Sequence, residues 1–352
     1  MINIGLEVSS TLTANPTGIQ RYMDGVVSGL MQDNTASLTR LFKVSRFKKR
    51  HLMPALSVPY RWYWISPVER HNGLDVIHCL DTTVPAMSGG RPIVVTIHDL
   101  YLAIHADYLN IRTAERKRRK VIDACRKASH IVVPTAAIKR ELVDAFGVAK
   151  PITVIPHGLN PEFFSSAQLS SADSSYVLGF SGGKRKNFSQ LAAAFYRSHV
   201  YEMGWRLVIV GRPPDEELNE ARKFLPTERL VIYDRLSERT LMDLYANAGV
   251  VSYVSHYEGF GFPVIEGMAA GVPVVTGAYG ATAEVAGGHA CLVDTHSLES
   301  IASGIDRAMS MPSDAIDKAK EHAASFQWER VGEELKRVYE AVTSTSGQRP
   351  RH

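Results

Sequence analysis

The sequence predicts an α/β protein of two domains, each assembled from alternating strands and helices. Three observations carry that expectation. At 352 residues the chain exceeds what one hydrophobic core usually holds. Apolar runs of strand length recur along both halves, each followed by helical spacing, which is the pattern of a parallel sheet. A polar, serine-rich stretch with two prolines at 156–175 interrupts the recurrence midway. The expected boundaries are a first domain over 1–160, a linker over 161–175, a second domain over 176–328, and a closing helix with a polar tail over 329–352.

In the first domain, residues 1–8 (MINIGLEV) alternate and are rich in β-formers, so the chain opens on a strand. The loop SSTLTANPTG follows, and from Ile19 the spacing turns helical (IQRYMDGVVSGLM). Strand, glycine-bearing loop and helix is how a Rossmann-like unit begins, and Gly18 stands where a phosphate can approach the backbone. The loop has no G-x-G-x-x-G, which argues against a dinucleotide oxidoreductase. Further buried strands are expected at 38–44, 75–79 (DVIHC) and 92–98 (PIVVTIH). His98 and Asp99 end the last of these, on the ligand side of such a sheet. There a histidine can hydrogen-bond a sugar hydroxyl or stabilise charge near a reacting carbon, with Asp99 orienting it; the alternative is a structural histidine bonded to backbone. A metal at His98 needs further ligands at suitable spacing, and the sequence offers none. Helix 112–128, strand 130–134, helix 135–146 and strand 152–156 complete the domain.

Charge is uneven. Residues 1–170 hold 21 Lys+Arg against 13 Asp+Glu, and the remainder 19 against 23. The excess concentrates in RLFKVSRFKKRH (40–51) and RTAERKRRK (112–120), with Tyr60, Trp62, Tyr63 and Trp64 between them. Basic segments beside interfacial aromatics point to an anionic membrane surface or a phosphorylated lipid; solvated helix faces and a partly buried aromatic patch are the alternative. Nucleic acid is disfavoured because no recognised motif accompanies the charge. An apolar fraction of 45% with 22% charge is ordinary for a soluble globular protein. Cys79, Cys125 and Cys291 are isolated and odd in number, which favours a reducing, cytoplasmic compartment and excludes a disulfide framework. The sequence shows no signal peptide and no apolar run of about 18 residues, so no membrane-spanning helix is expected.

The second domain opens with YVLGFSGGKRKNF. A buried strand at 176–181 runs into Gly182 and Gly183, then Lys184, Arg185 and Lys186, and a helix begins near Asn187. Three cations at a strand end beside a helix N-terminus form a natural clamp for a diphosphate leaving group, or else a solvated basic turn. WRLVIVGRP supplies a core strand at 207–210 ending in Gly211, and a strand near Val231 and a helix over 237–248 follow.

The organising stretch is HYEGFGFPVIEGMAAGVPVV, 256–275. Glu258 and Glu266 stand eight positions apart with Gly259, Phe260, Gly261, Phe262 and Pro263 between them. The apolar run 249–254 reads as a buried strand, and Pro263 opens a short helix that Gly271 ends. Glu258 is thus expected in a loop at a strand's carboxyl end, and Glu266 in the first turn of the next helix. A helix N-terminus presents N–H groups and a positive dipole end to phosphate, a carboxylate accepts both hydroxyls of a ribose diol, and glycines let amides approach a sugar ring. The bland alternative is that Glu266 complements the helix dipole and Glu258 is a solvated loop residue. PVVTG, ACLVD and amphipathic helices to about Val342 finish the domain.

In this order SGGKRKN, LVIVG and LYANAGVVSYVSHYEGFGFPVIEGMAAGVPVVTG resemble the C-terminal donor domain of the retaining GT-B glycosyltransferases of the family 4 (group 1) type. PTGIQRY, TIHDL, SHIVVPTAAIKREL and ITVIPHGLN are similar to that family's acceptor-side domain, and the likeness runs to the closing SFQWERVGEELKRVY. The resemblance implies a GT-B fold, two Rossmann-like domains facing a cleft, with the C-terminal helix crossing back to the first. It implies that Glu266 binds the nucleotide ribose, and that Glu258, with the amides of Phe260, Gly261 and Phe262, holds the transferred sugar. Lys186 would contact the diphosphate, His98 the sugar near its anomeric centre, and Gly18 the phosphates; Gly211 with Arg235 and Leu236 would line the base. Many members carry an Arg where this chain has Gly183, so Lys184 or Arg185 would substitute.

The activity so implied is retaining transfer of a hexose from a nucleotide-sugar after closure excludes water. No cofactor is required and no metal is demanded, because cations and amides supply the electrostatics. The YEGFGFP loop resembles mannosyltransferases, so GDP-mannose is the first donor, and UDP-glucose or another NDP-hexose the alternative. The acceptor implied is a lipid-linked glycan or other oligosaccharide of bacterial surface polysaccharide (O-antigen, lipopolysaccharide or exopolysaccharide), met at the inner face of the cytoplasmic membrane. A sugar-nucleotide epimerase or hydrolase, and a silent scaffold of the same architecture, are the rivals.

Overall fold

A computed structural model describes residues 1–13, 18–32, 35–53, 58–66, 73–104, 111–166 and 175–346. The chain divides into two units, Met1–Gly158 with Gln327–His352, and Leu159–Phe326.

The first unit is built on seven strands: β1 (Ile2–Glu7), β2 (Ala36–Lys43), β3 (Tyr60–Tyr63), β4 (Val76–Cys79), β5 (Ile93–Thr96), β6 (His130–Val133) and β7 (Ile152–Val154). They lie in the order β3-β2-β1-β4-β5-β6-β7, every pair parallel. Central strands such as IVVT are buried at every position, as helices on both faces of a parallel sheet require. The chain reverses its direction of travel across the sheet between β1 and β4, and ligands bind at the carboxyl ends of strands at such a switch point.

Two features of this unit depart from the sequence reading. The aromatic run, read as membrane-facing or as a partly buried patch, is partly buried and supplies edge strand β3, with Arg40 opposite Tyr60 and Lys43 opposite Tyr63. Alternation turns Tyr63 inward and lets Trp62 pack 5.3 Å from Phe42 and 5.1 Å from Phe47, while Tyr60 and Trp64 remain 50% and 79% exposed. Arg40, counted with the basic surface segment, is instead buried in β2 and paired with Asp24 at 3.5 Å.

The C-terminal helix Trp328–Ser346 packs on the first helix, Gly18–Leu30, and its Val331, Leu335, Val338 and Tyr339 join the first unit's core. Glycines permit the approach: a Cβ on Gly332 would meet the carbonyl oxygen of Gly29 at 2.2 Å, and one on Gly25 would strike the Trp328 ring.

The second unit carries β8 (Tyr176–Phe180), β9 (Arg206–Val210), β10 (Leu230–Tyr233), β11 (Val250–Tyr253), β12 (Val274–Gly277) and β13 (Cys291–Val293). All pairs are again parallel, in the order β10-β9-β8-β11-β12-β13, so the switch point lies between β8 and β11. Both sheets are therefore doubly wound in the Rossmann manner. The first part of the expected linker belongs to this unit's core: a short helix, Glu162–Ser166, seats Phe163 against Tyr245, because two adjacent phenylalanines are too apolar to leave in a solvated tether. The rest of that segment, 167–174, and the polar tail at 347–352 lie outside the described residues.

Candidate functional site

The loops that leave β8 and β11 meet at the second switch point. After β8 the chain passes Gly182 and Gly183 into a single turn, Lys184–Lys186. Gly183 has φ 125°, a backbone conformation that side chains with a Cβ rarely adopt, so the Arg that resemblance expects there has no place in this turn. Asn187 closes the turn at φ 61° and is buried; its side-chain amide donates to the carbonyls of Val254 at 3.0 Å and Thr295 at 2.8 Å. These bonds lash the cationic turn to the loops that follow β11 and β13.

The lashing brings opposite charges together. Lys186 Nζ donates to Glu258 Oε1 at 2.8 Å and to the hydroxyl of Tyr253 at 2.5 Å, and Arg185 Nη1 stands 3.5 Å from Glu258 Oε2. The side chains of Glu258 and Lys186 are only 9% and 18% exposed, so the solvated-loop and solvated-turn readings of these residues do not hold. Burial alone would raise the Glu258 carboxyl, but Lys186 and Arg185, with hydrogen bonds from Lys186 and Tyr253, hold it below the usual carboxylate range. Two cations around one carboxylate leave a net positive cluster, suited to a polyanion. Lys184 is exposed at the start of the turn.

The helix after this loop runs Phe262–Ala269, with Gly261 before it and Pro263 in its opening turn. Because it begins at Phe262 rather than at Pro263, Glu266 is its fifth residue, one place beyond the expected first turn. Glu266 is buried, and its Oε2 accepts a hydrogen bond from the Tyr245 hydroxyl at 2.6 Å. That partner is more specific than the dipole-complementing role. Phe260 is buried and packs edge to face with Phe262 at 5.3 Å, anchoring the glycine loop. On the other flank Gly211 follows β9 at φ 94° and donates its N–H to the Tyr233 carbonyl at 2.8 Å; a Cβ there would sit 2.1 Å from the Ser181 carbonyl oxygen. Arg235, exposed, and Leu236 follow the carboxyl end of neighbouring β10.

The first unit's switch point is also polar but differs in kind. Glu7 ends β1 opposite Cys79 and is completely buried. Its carboxyl accepts from the Tyr63 hydroxyl at 3.0 Å and from the Ser9 hydroxyl. Burial, reinforced by Asp81, pushes its pKa up to about 8 despite Ser9, Lys43 and Tyr63. His98 follows β5, half-buried; its Nε2 lies 2.8 Å from the Leu80 carbonyl oxygen and its Nδ1 3.3 Å from His157 Nε2. Leu80 and His157 therefore orient the ring, in place of the expected Asp99, whose carboxylate accepts from the Tyr101 N–H at 3.1 Å. Burial lowers both histidines, and it holds His78, bonded to Tyr339 and Thr96, at about 3. Gly18 opens the first helix at an exposed position.

Sequence reasoning thus missed Tyr253, Tyr245, Asn187, Glu7 and His157 as members of these clusters. Tyr253 alone carried a signal, as the last residue of a strand beside the motif. Among the described residues no group of three or more His, Cys, Asp and Glu is disposed to hold a metal ion, and no helix is long and apolar enough to cross a membrane.

Two doubly wound parallel sheets, the second with a cationic turn and two buried carboxylates at its switch point, define the GT-B class of fold. Residues 163–325 match the family model Glycosyl transferases group 1, and residues 32–163 match Glycosyltransferase Family 4. A D-inositol 3-phosphate glycosyltransferase of Acidothermus cellulolyticus is 27% identical over 284 residues, 73% of this chain and 63% of that relative, so the chain spans less than two thirds of its length. Among solved structures, sucrose-phosphate synthase from Thermosynechococcus elongatus superposes with a TM-score of 0.75 over 98% of this chain and all of that one, at 18% identity. HepE of Anabaena, in complex with UDP, superposes at 0.73 over 97% of this chain and 100% of that one, again at 18% identity. Each half of the chain is thus similar to a glycosyltransferase domain, the second to the group 1 type and the first to the family 4 type.

Proposed function

We propose that this protein transfers a hexose, mannose from GDP-mannose in the first instance, to a lipid-linked glycan in bacterial surface polysaccharide synthesis. The observation that carries the reading is the cluster of Lys186, Arg185, Tyr253 and Glu258 at the second switch point, one loop away from the buried Glu266. In this reading Lys186 and Arg185 exchange Glu258 for the diphosphate and offset the charge that grows on it as the glycosyl bond breaks. Glu258, released from the cations, accepts hydroxyls of the transferred sugar together with the amides of Phe260, Gly261 and Phe262, while Glu266 takes the ribose diol. Gly211, Arg235 and Leu236 line the base, Gly18 approaches phosphate, and His98 acts on the sugar. Attack on the same face as the departing phosphate retains the anomeric configuration, and no metal or cofactor is required.

UDP-glucose is the second reading, supported by the fold's likeness to HepE of Anabaena, whose structures include complexes with UDP and UDP-glucose. A lipid acceptor at the inner membrane face is supported by the exposed run Arg46, Lys48, Lys49 and Arg50, with Phe47 45% exposed among them. In the helix Ile111–Lys127 most basic residues are exposed, but Lys117 and Lys127 are half-buried, and Arg119 pairs with Glu115 and Lys127 with Asp123, so that helix supports the lipid less.

The test is to supply labelled GDP-mannose or UDP-glucose with bacterial lipid extract and follow the label. Entry into the lipid phase from GDP-mannose supports the proposal, and entry only from UDP-glucose shifts the donor. Free sugar or an epimer without acceptor points to a hydrolase or epimerase, and an untouched donor to a scaffold. Cosedimentation that ignores anionic lipid in the vesicles would remove the membrane part.

A further inference from the structure

We infer that Tyr245 is the positioning residue for Glu266, its hydroxyl fixing the plane of the carboxylate that accepts the donor's ribose diol. The inference rests on the proposed donor site and deepens it. Tyr245 lies on the helix Glu238–Ala246, is completely buried, and donates to Glu266 Oε2 at 2.6 Å. Its ring is fixed on two sides: Phe180, last residue of β8, stacks on it at 5.7 Å, and Phe163 meets it edge-on at 5.5 Å. Phe180 also packs at 85° and 5.8 Å against Tyr253, the tyrosine that serves Lys186. One phenylalanine ring therefore braces two tyrosines, each assigned to one of the two motif carboxylates.

The chemistry gives this arrangement a purpose. The terminal torsion of a glutamate is broad, so an unheld carboxylate presents its two oxygens over a wide range of planes. A vicinal diol needs both oxygens in one plane, and a hydroxyl whose ring is immobilised by packing supplies that restraint. Replacement by phenylalanine keeps the ring stack and removes only the hydroxyl, leaving the buried carboxylate with one donor fewer.

A role confined to stability would weaken every ligand alike; a positioning role acts only on ligands that carry the diol. Affinities of GDP and UDP and of their 2′,3′-dideoxy analogues are therefore measured on wild type, Tyr245→Phe and Tyr253→Phe. For the nucleotide that binds, wild type prefers the diol form, and Tyr245→Phe reduces that preference by roughly tenfold while dideoxy binding stays within about twofold. Tyr253→Phe, which touches Lys186 rather than Glu266, weakens both forms and keeps the preference. Phe180→Leu, which loosens the brace but leaves both hydroxyls, reduces the preference partially and answers the question should Tyr245→Phe fail to fold. An unchanged preference in Tyr245→Phe, or equal weakening of both forms, overturns the inference. Absence of a diol preference in wild type overturns instead the assignment of Glu266 on which it rests.

Discussion

The two sheets share a strand order and differ in the electrical state of their switch points. In the first unit burial favours the neutral form of one carboxyl and three histidines: Glu7 is raised to about 8, and His98, His157 and His78 are lowered. In the second, burial would raise the Glu258 carboxyl too, yet Lys186 and Arg185 overcome it and the cluster stays charged. The difference is one of partners. Glu7 is met by hydroxyls, which cannot compensate a buried anion, whereas Glu258 is met by two cations, which can. A neutral polar net suits sugar hydroxyls and a charged one suits phosphate, so one topology has been given two chemistries by a few side chains at the strand ends.

The largest expected effect lies in the first unit. Glu7 holds its proton in the folded chain up to about pH 8, but the unfolded carboxyl ionises near 4.5, so its contribution to stability is present at low pH and is lost as pH rises between those values. By linkage the loss reaches about 4 kcal/mol near pH 8. Urea denaturation of wild type and Glu7→Gln across that range should give curves that converge at low pH and diverge toward alkaline pH, with the variant favoured. Parallel curves would break the comparison. Glu258 runs in the opposite sense: its folded pKa is depressed, so the pairing with Lys186 and Arg185 is intact above the ordinary carboxylate range and is lost only as pH falls through the depressed value. Affinity for a nucleotide-sugar, whose esterified diphosphate has no proton titrating in this range, should therefore hold flat from about pH 8 down to about pH 5, and an affinity titrating near neutrality would count against Glu258 as a charged partner.

Next in size, Lys186→Ala should cost turnover roughly 3 kcal/mol, about a hundredfold, through loss of a charge-assisted contact to the leaving diphosphate. The same substitution should leave the alkaline loss of stability untouched, because Glu7 belongs to the other unit. Smallest is Tyr63→Phe, which removes one neutral hydrogen bond to Glu7 and should destabilise by about 1 kcal/mol in thermal melts without changing nucleotide affinity.

Much of the fold was legible because parallel strands buried on both faces read as continuous apolar runs; VIHC, IVVT, HIVV and VVSY were all located that way. Strand β3 was not, since YRWY is as fitting for a membrane interface as for an edge strand, and only its pairing with β2 decides. The motif carboxylates and the Lys184–Lys186 turn were visible because chemistry-bearing residue types stand at the ends of predicted strands. Tyr245 was hidden because a buried tyrosine on an amphipathic helix has the same pattern as any core aromatic, and its hydroxyl's target lies 21 positions away. Glu7 was hidden for a related reason. A carboxylate at the end of an alternating strand reads as solvent-facing until the neighbouring strands close over it.

The central claim is that the charged switch point of the second sheet is where a nucleotide-sugar binds. Calorimetric titration with GDP, UDP, GDP-mannose and UDP-glucose of wild type, Lys186→Ala and Glu266→Ala tests it most directly. The account predicts saturable binding of one nucleotide series to wild type, weakened by roughly tenfold or more in each variant at a temperature where that variant remains folded. Equal affinity in all three proteins, or no binding of either series to wild type, would contradict it.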